Sequence, residues 1–234
     1  MIVRPIKTRV FQEEENLFDF IASYLKKIPE KSVIVVTSKI VSLSLGRTAE
    51  IKNKNTKEKL IHQESDFALR TKHVWLTIKD GMVMSSAGID DSNANGKLIL
   101  LPPDSFKIAT ILRNKLRKKY KVKKLGVLIT DSRTVPLRSG VVGSALGYAG
   151  FKGVKKYEGT PDIFGRIFKF SRTNVADSLA TAAVLVMGEG REKQPLALIT
   201  ETPIKFSDRI SRNELKIDIK DDMYRPLFSK LQKK

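Results

Sequence analysis

The sequence contains no cysteine among its 234 residues and only two histidines, His62 and His73. Without cysteine, disulfide bonds, thiolate catalysis and cysteine-based zinc sites are excluded. Neither histidine has a partner at metal-ligand spacing, so we interpret both as ordinary surface or half-buried side chains. These absences narrow the chemistry that is open to the chain.

Long apolar runs are missing as well. No stretch is long enough to span a bilayer, and the N-terminus has no signal-peptide pattern. We therefore expect a soluble, cytoplasmic protein. The hydrophobic content of 41% over 234 residues is enough for a substantial core, in one large domain or two small ones.

Negative charge is scarce relative to positive charge, since 44 Lys and Arg face 25 Asp and Glu for a formal net charge of +19. Such a surplus attracts anionic partners, whether nucleic acid, anionic membrane or phosphorylated substrates. The densest stretch, "RNKLRKKYKVKK" at 113–124, follows the capping pair Asp104 and Ser105 and continues an amphipathic helix pattern. We interpret it as a helix with a solvated lysine face. A nucleic-acid-binding protein that uses residues 113–124 is the competing hypothesis.

Apolar periodicity and polar breaks indicate interleaved helices and strands. Helices are predicted over 17–28, from 104 to 120 and from 174 to a stop at Gly188, and strands over 33–36, 73–78, 127–130 and 195–200. Five glycines in "GVVGSALGYAGFKG", residues 140–153, permit tight turns and close backbone approach. This stretch matches neither G-x-G-x-x-G nor Walker A. The order of elements predicts an α+β fold with mixed sheets, neither Rossmann nor P-loop.

Three acidic residues share one context, because Asp90, Asp131 and Glu189 each follow an apolar element directly and have glycine nearby. Carboxylates at the ends of different core elements can converge on Mg²⁺ or Mn²⁺, which prefer oxygen ligands and bridge phosphates. Each residue also has a local interpretation: a turn residue at Asp90, a cap after a strand at Asp131 and a helix stop at Glu189. For each residue taken alone, the local interpretation is the stronger one.

The neighbours of these carboxylates suit the same chemistry. Ser132 adds a hydroxyl ligand, and Lys39, Arg133 and Arg138 are cations able to neutralise phosphate oxygens. On spacing alone, a shared metal and phosphate site remains the minority interpretation.

Several long motifs in a fixed order give the chain a family resemblance. They are "VIVVTSKIVSLSLGR", "SSAGIDDSNANG", "GVLITDSRTVPLRSGVVGSALGYAG", "GTPDIFGR" and "NVADSLATAAVLVMGEG", and the match runs from about Pro5 to Ile199. In this order the motifs resemble those of the coenzyme F-420:L-glutamate ligase family, the CofE-type gamma-glutamyl ligases. The resemblance implies an α+β ligase that uses GTP or ATP with two Mg²⁺ or Mn²⁺ ions and forms a homodimer. Its substrates would be L-glutamate and an acidic acceptor, a deazaflavin precursor of coenzyme F-420.

The resemblance also assigns roles to residues of this chain. The metal ligands would be Asp90, Asp131, Ser132 and Glu189, and the catalytic side chains would be Asp131, Arg138 and Lys39. Nucleotide contacts would come from Ser38, Lys39, Asn93, Met187, Gly188, Gly190 and Arg191, with help from the N-terminal segment 8–12. The resemblance covers a core of residues 1–203, which we expect to divide into two intertwined subdomains, and leaves 204–234 as a C-terminal helical extension.

The chain departs from the family pattern near these positions. Leu43 and Leu45 replace a lysine and a glutamate of the pattern, Thr134 and Val135 replace a Gly-Arg pair, and Leu137 replaces an aromatic residue. The metal positions are kept, which suggests the same reaction core with a different acceptor or nucleotide preference. A folylpolyglutamate-type ligase and a relative without catalytic activity are therefore alternatives.

Overall fold

The computed structural model describes residues 1–228, which form a central five-stranded sheet, an inserted lobe and a C-terminal segment. The strands of the central sheet lie in the order β1–β12–β2–β8–β9, and only β2 and β8 run parallel. Its strands are β1 (Ile2–Ile6), β2 (Ser32–Thr37), β8 (Leu125–Thr134), β9 (Val141–Ala149) and β12 (Leu196–Thr200). The predicted α+β class, neither Rossmann nor P-loop, is confirmed.

Helices cover both faces of this sheet, because its central strands are apolar on both sides. Ile34 and Val36 of β2 face one core with three helices, while Val33 and Val35 face the other core with a fourth helix. The first three are α1 (Leu17–Tyr24), α2 (Ser38–Ser44) and α4 (Ser105–Tyr120), and the fourth is α5 (Val175–Met187). The sheet is therefore buried between two helical layers.

The inserted lobe, residues 48–100, leaves the core after α2 and returns before α4. It contains β3 (Thr48–Glu50), α3 (Thr56–Glu64), β4 (Phe67–Arg70), β5 (Trp75–Lys79), β6 (Met82–Ser85), a 3-10 turn (Ser86–Gly88) and β7 (Lys97–Ile99). Ile61, Ile89 and Leu98 belong to its own apolar cluster. Its two ends are joined, since Leu100 N donates to Arg47 O at 2.9 Å and Arg47 Nε donates to Leu101 O at 3.3 Å.

Two of the predicted elements have different bounds. The helix predicted over 17–28 ends at Tyr24. Leu25 and Ile28 lie beyond that end but are buried in the core, which is why the apolar pattern continues past the helix. The strand predicted over 127–130 runs from Leu125 to Thr134, through the Asp131 and Ser132 that were expected to end it. It continues because β9 pairs with it beyond the point where β2 ends.

The glycine-rich stretch 140–153 is mainly strand β9 rather than a series of turns. Its glycines allow close approach of helices, as expected. A Cβ at Gly143 would lie 2.3 Å from the carbonyl oxygen of Ala180 in α5, and one at Gly147 would lie 2.5 Å from the amide nitrogen of Phe106 in α4. The absence of side chains at these positions lets α4 and α5 contact the edge strand.

The remaining elements lie outside the sheet and the lobe. A two-stranded hairpin pairs β10 (Val154–Lys156) with β11 (Arg172–Asn174). The expected helical extension is mostly irregular over 204–218 and contains a 3-10 turn (Ile219–Asp221) and the short helix α6 (Arg225–Phe228). The last residues of the expected extension, 229–234, lie outside the described part. None of the helices within residues 1–228 has the length and apolar character needed to cross a membrane.

The lysines of the basic run on α4 are exposed, as the solvated-face interpretation predicted. The arginine Arg113 of the same run differs from these lysines, because it is only 6% exposed and its Nε donates to Leu125 O at 2.6 Å. Its guanidinium also pairs with Asp208 of the C-terminal segment. Arg113 therefore ties α4 to the start of β8.

Arg113→Ala should lower the free energy of unfolding by about 2–3 kcal/mol, because it leaves the Leu125 carbonyl without its partner and removes the packed stem. The ion pair itself contributes little, since the Asp208 side chain is 70% exposed. Lys118→Ala, an exposed cation on the same helix, should change the value by less than about 0.5 kcal/mol. Urea unfolding followed by circular dichroism compares the two, and equal values would contradict the assigned role of Arg113.

Candidate active site

The site begins where the parallel pairing of β2 with β8 ends. Thr37 of β2 is in register with Thr130 of β8, so the following residues, Ser38 and Asp131, are neighbours. Ser38 Oγ donates to Asp131 Oδ1 at 3.2 Å. The pKa of Asp131 is raised to about 6, mainly by burial and also by the charges of Asp90 and Glu189. Hydrogen bonds from Ser132 and Ser38 act in the opposite direction and lower it.

The inserted lobe contributes the second carboxylate. Asp90 is fixed by a two-way backbone bridge to Ile99, with N–O distances of 3.0 and 2.8 Å. Lys39 Nζ donates to Asp90 Oδ2 at 2.8 Å, to Ser92 O at 2.7 Å and to Ser92 Oγ at 3.1 Å. Burial alone would raise the pKa of Asp90, but the hydrogen bonds from Lys39 and Ser92 outweigh burial and lower it. Lys39 thus neutralises Asp90 and holds the turn at residues 90–92 of the lobe.

The loop between α5 and β12 contributes the third carboxylate. Gly188 ends α5 at a positive φ of 79°, and its N–H donates to Val184 O at 2.9 Å. Glu192 Oε2 then accepts from Gly190 N at 2.8 Å, and Asn93 Nδ2 of the lobe donates to Gly190 O at 3.3 Å. Burial raises the pKa of Glu189, while a hydrogen bond from Ser132 lowers it. The loop is therefore held from both sides.

These parts enclose one cavity of about 460 Å³. The carboxylates of Asp90, Asp131 and Glu189 lie in its lining together with an apolar wall. That wall includes Val10, Phe11, Ile40 and Leu43. Thr37 also lines the cavity, and its buried Oγ1 has no hydrogen-bond partner within residues 1–228. The cavity combines negative charge, free hydrogen-bonding capacity and an apolar surface.

The chemistry of the oxygen donors fits a divalent cation, since three carboxylates and a serine hydroxyl share one lining. The charge of Asp90 also raises the pKa of both Asp131 and Glu189. These oxygen donors do not form a ready-made ligand set, however. Within residues 1–228 no three His, Asp or Glu side chains are gathered closely enough to hold a metal ion. In this arrangement Lys39 neutralises Asp90 instead.

Most of the residues singled out in the sequence lie in this cavity. Its lining includes Ser38, Lys39, Asp90, Asn93, Asp131, Ser132, Met187, Gly188, Glu189, Gly190 and Arg191, and also residues 8–11 of the N-terminal segment. Arg138 lies outside the lining, at the exposed turn between β8 and β9. Arg133 also lies outside the lining and pairs with Asp177 at 2.8 Å.

Sequence reasoning missed Ser92 and Glu192, which position other groups. Ser92 N donates to Asp90 Oδ1 at 2.8 Å, which is the turn role predicted for Asp90, but the serine itself was not singled out. Glu192 packs over Gly188, where a Cβ would lie 2.5 Å from Glu192 Cδ. Nothing local in "GEGREK" indicates that this side chain folds back onto the loop.

Comparison with known proteins places the chain in a family. Residues 5–201 match the family described as F420-0:Gamma-glutamyl ligase, and the chain belongs to this family of ligases. A coenzyme F420:L-glutamate ligase of Methanococcus maripaludis (strain C7) is 30% identical over 231 residues, covering 91% of this chain and 92% of the relative. The enzyme of that name from Archaeoglobus fulgidus is 30% identical over 208 residues, with coverages of 81% and 83%. The one from Methanopyrus kandleri is 41% identical over 122 residues, with coverages of 52% and 48%.

Glu192→Ala should speed hydrogen exchange of the Gly190 amide by about fivefold to tenfold, the effect of losing one hydrogen bond to a charged acceptor. Glu192→Gln keeps an acceptor oxygen and should change the rate less. Glu58→Ala, on the exposed side of α3, serves as the control. Unchanged exchange at Gly190 in Glu192→Ala would show that the loop does not depend on this contact.

Proposed function

We propose that the chain is a nucleotide- and metal-dependent gamma-glutamyl ligase that adds L-glutamate to a carboxylate of a deazaflavin precursor of coenzyme F-420. The family membership and the names of the relatives support this reaction class. The proposal depends on one observation. Asp90, Asp131 and Glu189 come from distant parts of the chain and line the same cavity, together with Lys39.

The proposed reaction has two steps. An oxygen of the acceptor carboxylate attacks the terminal phosphorus of the triphosphate, and the bond to the nucleoside diphosphate breaks, which leaves an acyl phosphate. The amine of glutamate then attacks the acyl carbon, the C–O bond to phosphate breaks, and the amine loses a proton as the amide forms. Every reactant is anionic, so the site must offset repulsion and stabilise the charge that moves.

Asp90, Asp131, Ser132 and Glu189 would hold the divalent cations, with Mg²⁺ or Mn²⁺ as the ions suited to these oxygen donors. When bound, the cations would supply positive charge that offsets repulsion between the triphosphate and the acidic substrates. Ser38 orients Asp131 by donating to it, and Ser132 hydrogen bonds to Glu189. These serines fix the carboxylates while leaving other oxygens available.

Lys39 has a second part in the proposal. Its ammonium group has three hydrogens, and its three contacts are to Asp90 and Ser92. A cation that binds Asp90 competes with this ammonium group, which then becomes available to a phosphate oxygen on the same side of the cavity. The lysine would thereby offset negative charge in both states, on Asp90 without the ligands and on a phosphate oxygen with them.

The apolar wall of the cavity suits a nucleobase, with the phosphates toward the carboxylates. Leu43 belongs to this wall, whereas the family pattern has a lysine at that position. The absence of that cation supports a change in nucleotide or acceptor preference. GTP and ATP are therefore both candidates, and a folate with a gamma-glutamyl tail is the alternative acceptor.

Nucleic-acid binding by residues 113–124 has weaker support. Two of the eight cations in this run, Arg113 and Arg117, pair with Asp208. The lysines that remain are exposed, which solvation explains as well as a partner does. The homodimer and the cytoplasmic location stay predictions.

The proposed reaction is tested by incubating the protein with L-glutamate, Mn²⁺ and either GTP or ATP, with a deazaflavin precursor or a folate as acceptor. Mass spectrometry should detect added glutamyl units on one acceptor, and Asp131→Asn should reduce the rate by about 100-fold or more. Its free energy of unfolding should be unchanged or higher, because the amide removes a buried charge that repels Asp90 and Glu189.

Asp19→Asn, an exposed change in the first turn of α1, is the matched control and should retain full activity. If no acceptor gains glutamate with either nucleotide, the proposed reaction is wrong. If Asp131→Asn retains full activity, the role of that carboxylate is wrong.

Lys39→Met should bind Mn²⁺ several-fold more tightly than the unmodified protein in the absence of nucleotide, because the competing ammonium group is gone. Electron paramagnetic resonance of free Mn²⁺ measures this directly, without turnover. Lys57→Met, which removes the partner of Asp91 in the same turn, should have little effect. Weaker Mn²⁺ binding in Lys39→Met would refute the competition.

A further inference from the structure

A second cavity, of about 300 Å³, lies beside the edge strand β9 and outside the candidate active site. It is enclosed by the turn between β5 and β6, the first turn of α4 and residues 212–216 of the C-terminal segment. Thr130 lines the first cavity, and its cross-strand partner Ala145 lines the second. The β8–β9 ladder therefore separates the two cavities.

The first turn of α4 offers this cavity uncompensated hydrogen-bond donors. Asp104 caps the helix by accepting from Lys107 N at 2.9 Å and from Ile108 N at 3.1 Å. The amides of Ser105 and Phe106, both lining residues, have no acceptor within the helix. The N-terminus of this 16-residue helix carries partial positive charge that favours an anion.

The hydroxyl of Ser105 points to a ligand independently of the helix end. Ser105 is only 8% exposed and lines the cavity, yet its Oγ makes no hydrogen bond within residues 1–228. The Oγ is not among the fully buried oxygens without a partner, so it keeps access to the cavity, where a bound acceptor can pair with it. The side chain is thus placed to donate to a molecule in the cavity.

Charged groups of both signs complete the lining. Arg212 and Asp104 neutralise each other through a 3.0 Å contact. Lys216 and Asp80 are exposed residues that line the cavity, and neither forms an ion pair with a described residue. A cation and a carboxylate that are both unpaired in one small cavity match a ligand that carries both charges.

We propose that the second cavity binds a free α-amino acid. Its carboxylate would accept from the Ser105 amide and hydroxyl and face Lys216, and its ammonium group would face Asp80. A simple anion such as phosphate would leave Asp80 unpaired and repelled, which is why the zwitterion is favoured. This site does not require the proposed ligase reaction.

Nuclear magnetic resonance of ¹⁵N-labelled protein tests the proposal, with L-glutamate titrated in the absence of nucleotide and metal. The amides of Ser105 and Phe106 should shift saturably, with half-saturation at about 1 mM or below. Glycine should shift the same amides, whereas acetate and inorganic phosphate should shift them less. Shifts confined to residues 187–194 would place glutamate in the first cavity and overturn the proposal.

Variants separate a binding role from a structural one. Ser105→Ala should weaken binding by about tenfold, the loss of one hydrogen bond to a charged group. Asp80→Asn should weaken amino-acid binding but not phosphate binding. Thr110→Ala removes an exposed hydroxyl of the same helix, which bonds Phe106 O, and should bind as the unmodified protein does. Equal affinities in Ser105→Ala and Thr110→Ala would overturn the proposal, whether or not the ligase reaction is found.

Discussion

The parallel pairing of β2 with β8 is the constraint on which the site depends. Six consecutive pairs, from Ser32↔Leu125 to Thr37↔Thr130, bring two strands from distant parts of the sequence to one end. Because β12 runs antiparallel to β2, its start lies at that same end, and the loop that carries Glu189 must arrive there. Backbone hydrogen bonds thus decide where polar side chains meet.

The three acidic residues at that end, Asp90, Asp131 and Glu189, have different surroundings. Asp131 is buried and repelled by the other two, while Asp90 has a lysine of its own. An arrangement with unequal partners keeps some negative charge uncompensated at the base of the cavity. Such charge is costly to the fold, and perturbed carboxylates of this kind cluster at functional sites.

Much of this was accessible from sequence, for identifiable reasons. Strong periodicity located α4 and α5, and the predicted start of α5 at residue 174 and its stop at Gly188 agree with the capping residues Asn174 and Gly188. The order of the family motifs selected cavity residues that spacing alone left undecided. Long-range pairing was not accessible. The partner of Arg133, the burial of Arg113 and the course of β9 all depend on contacts with segments far away in the chain.

The two ends of the inserted lobe meet at the Arg47–Leu100 and Arg47–Leu101 contacts. The lobe also carries Asp90 and Asn93 into the cavity lining. A segment whose two ends lie close together can be replaced by the corresponding segment of a relative while the strands before and after it keep their positions. Chimeras that exchange residues 48–100 between relatives would then recombine one half of the cavity with the other, so acceptor choice could diverge while the remaining machinery stays fixed.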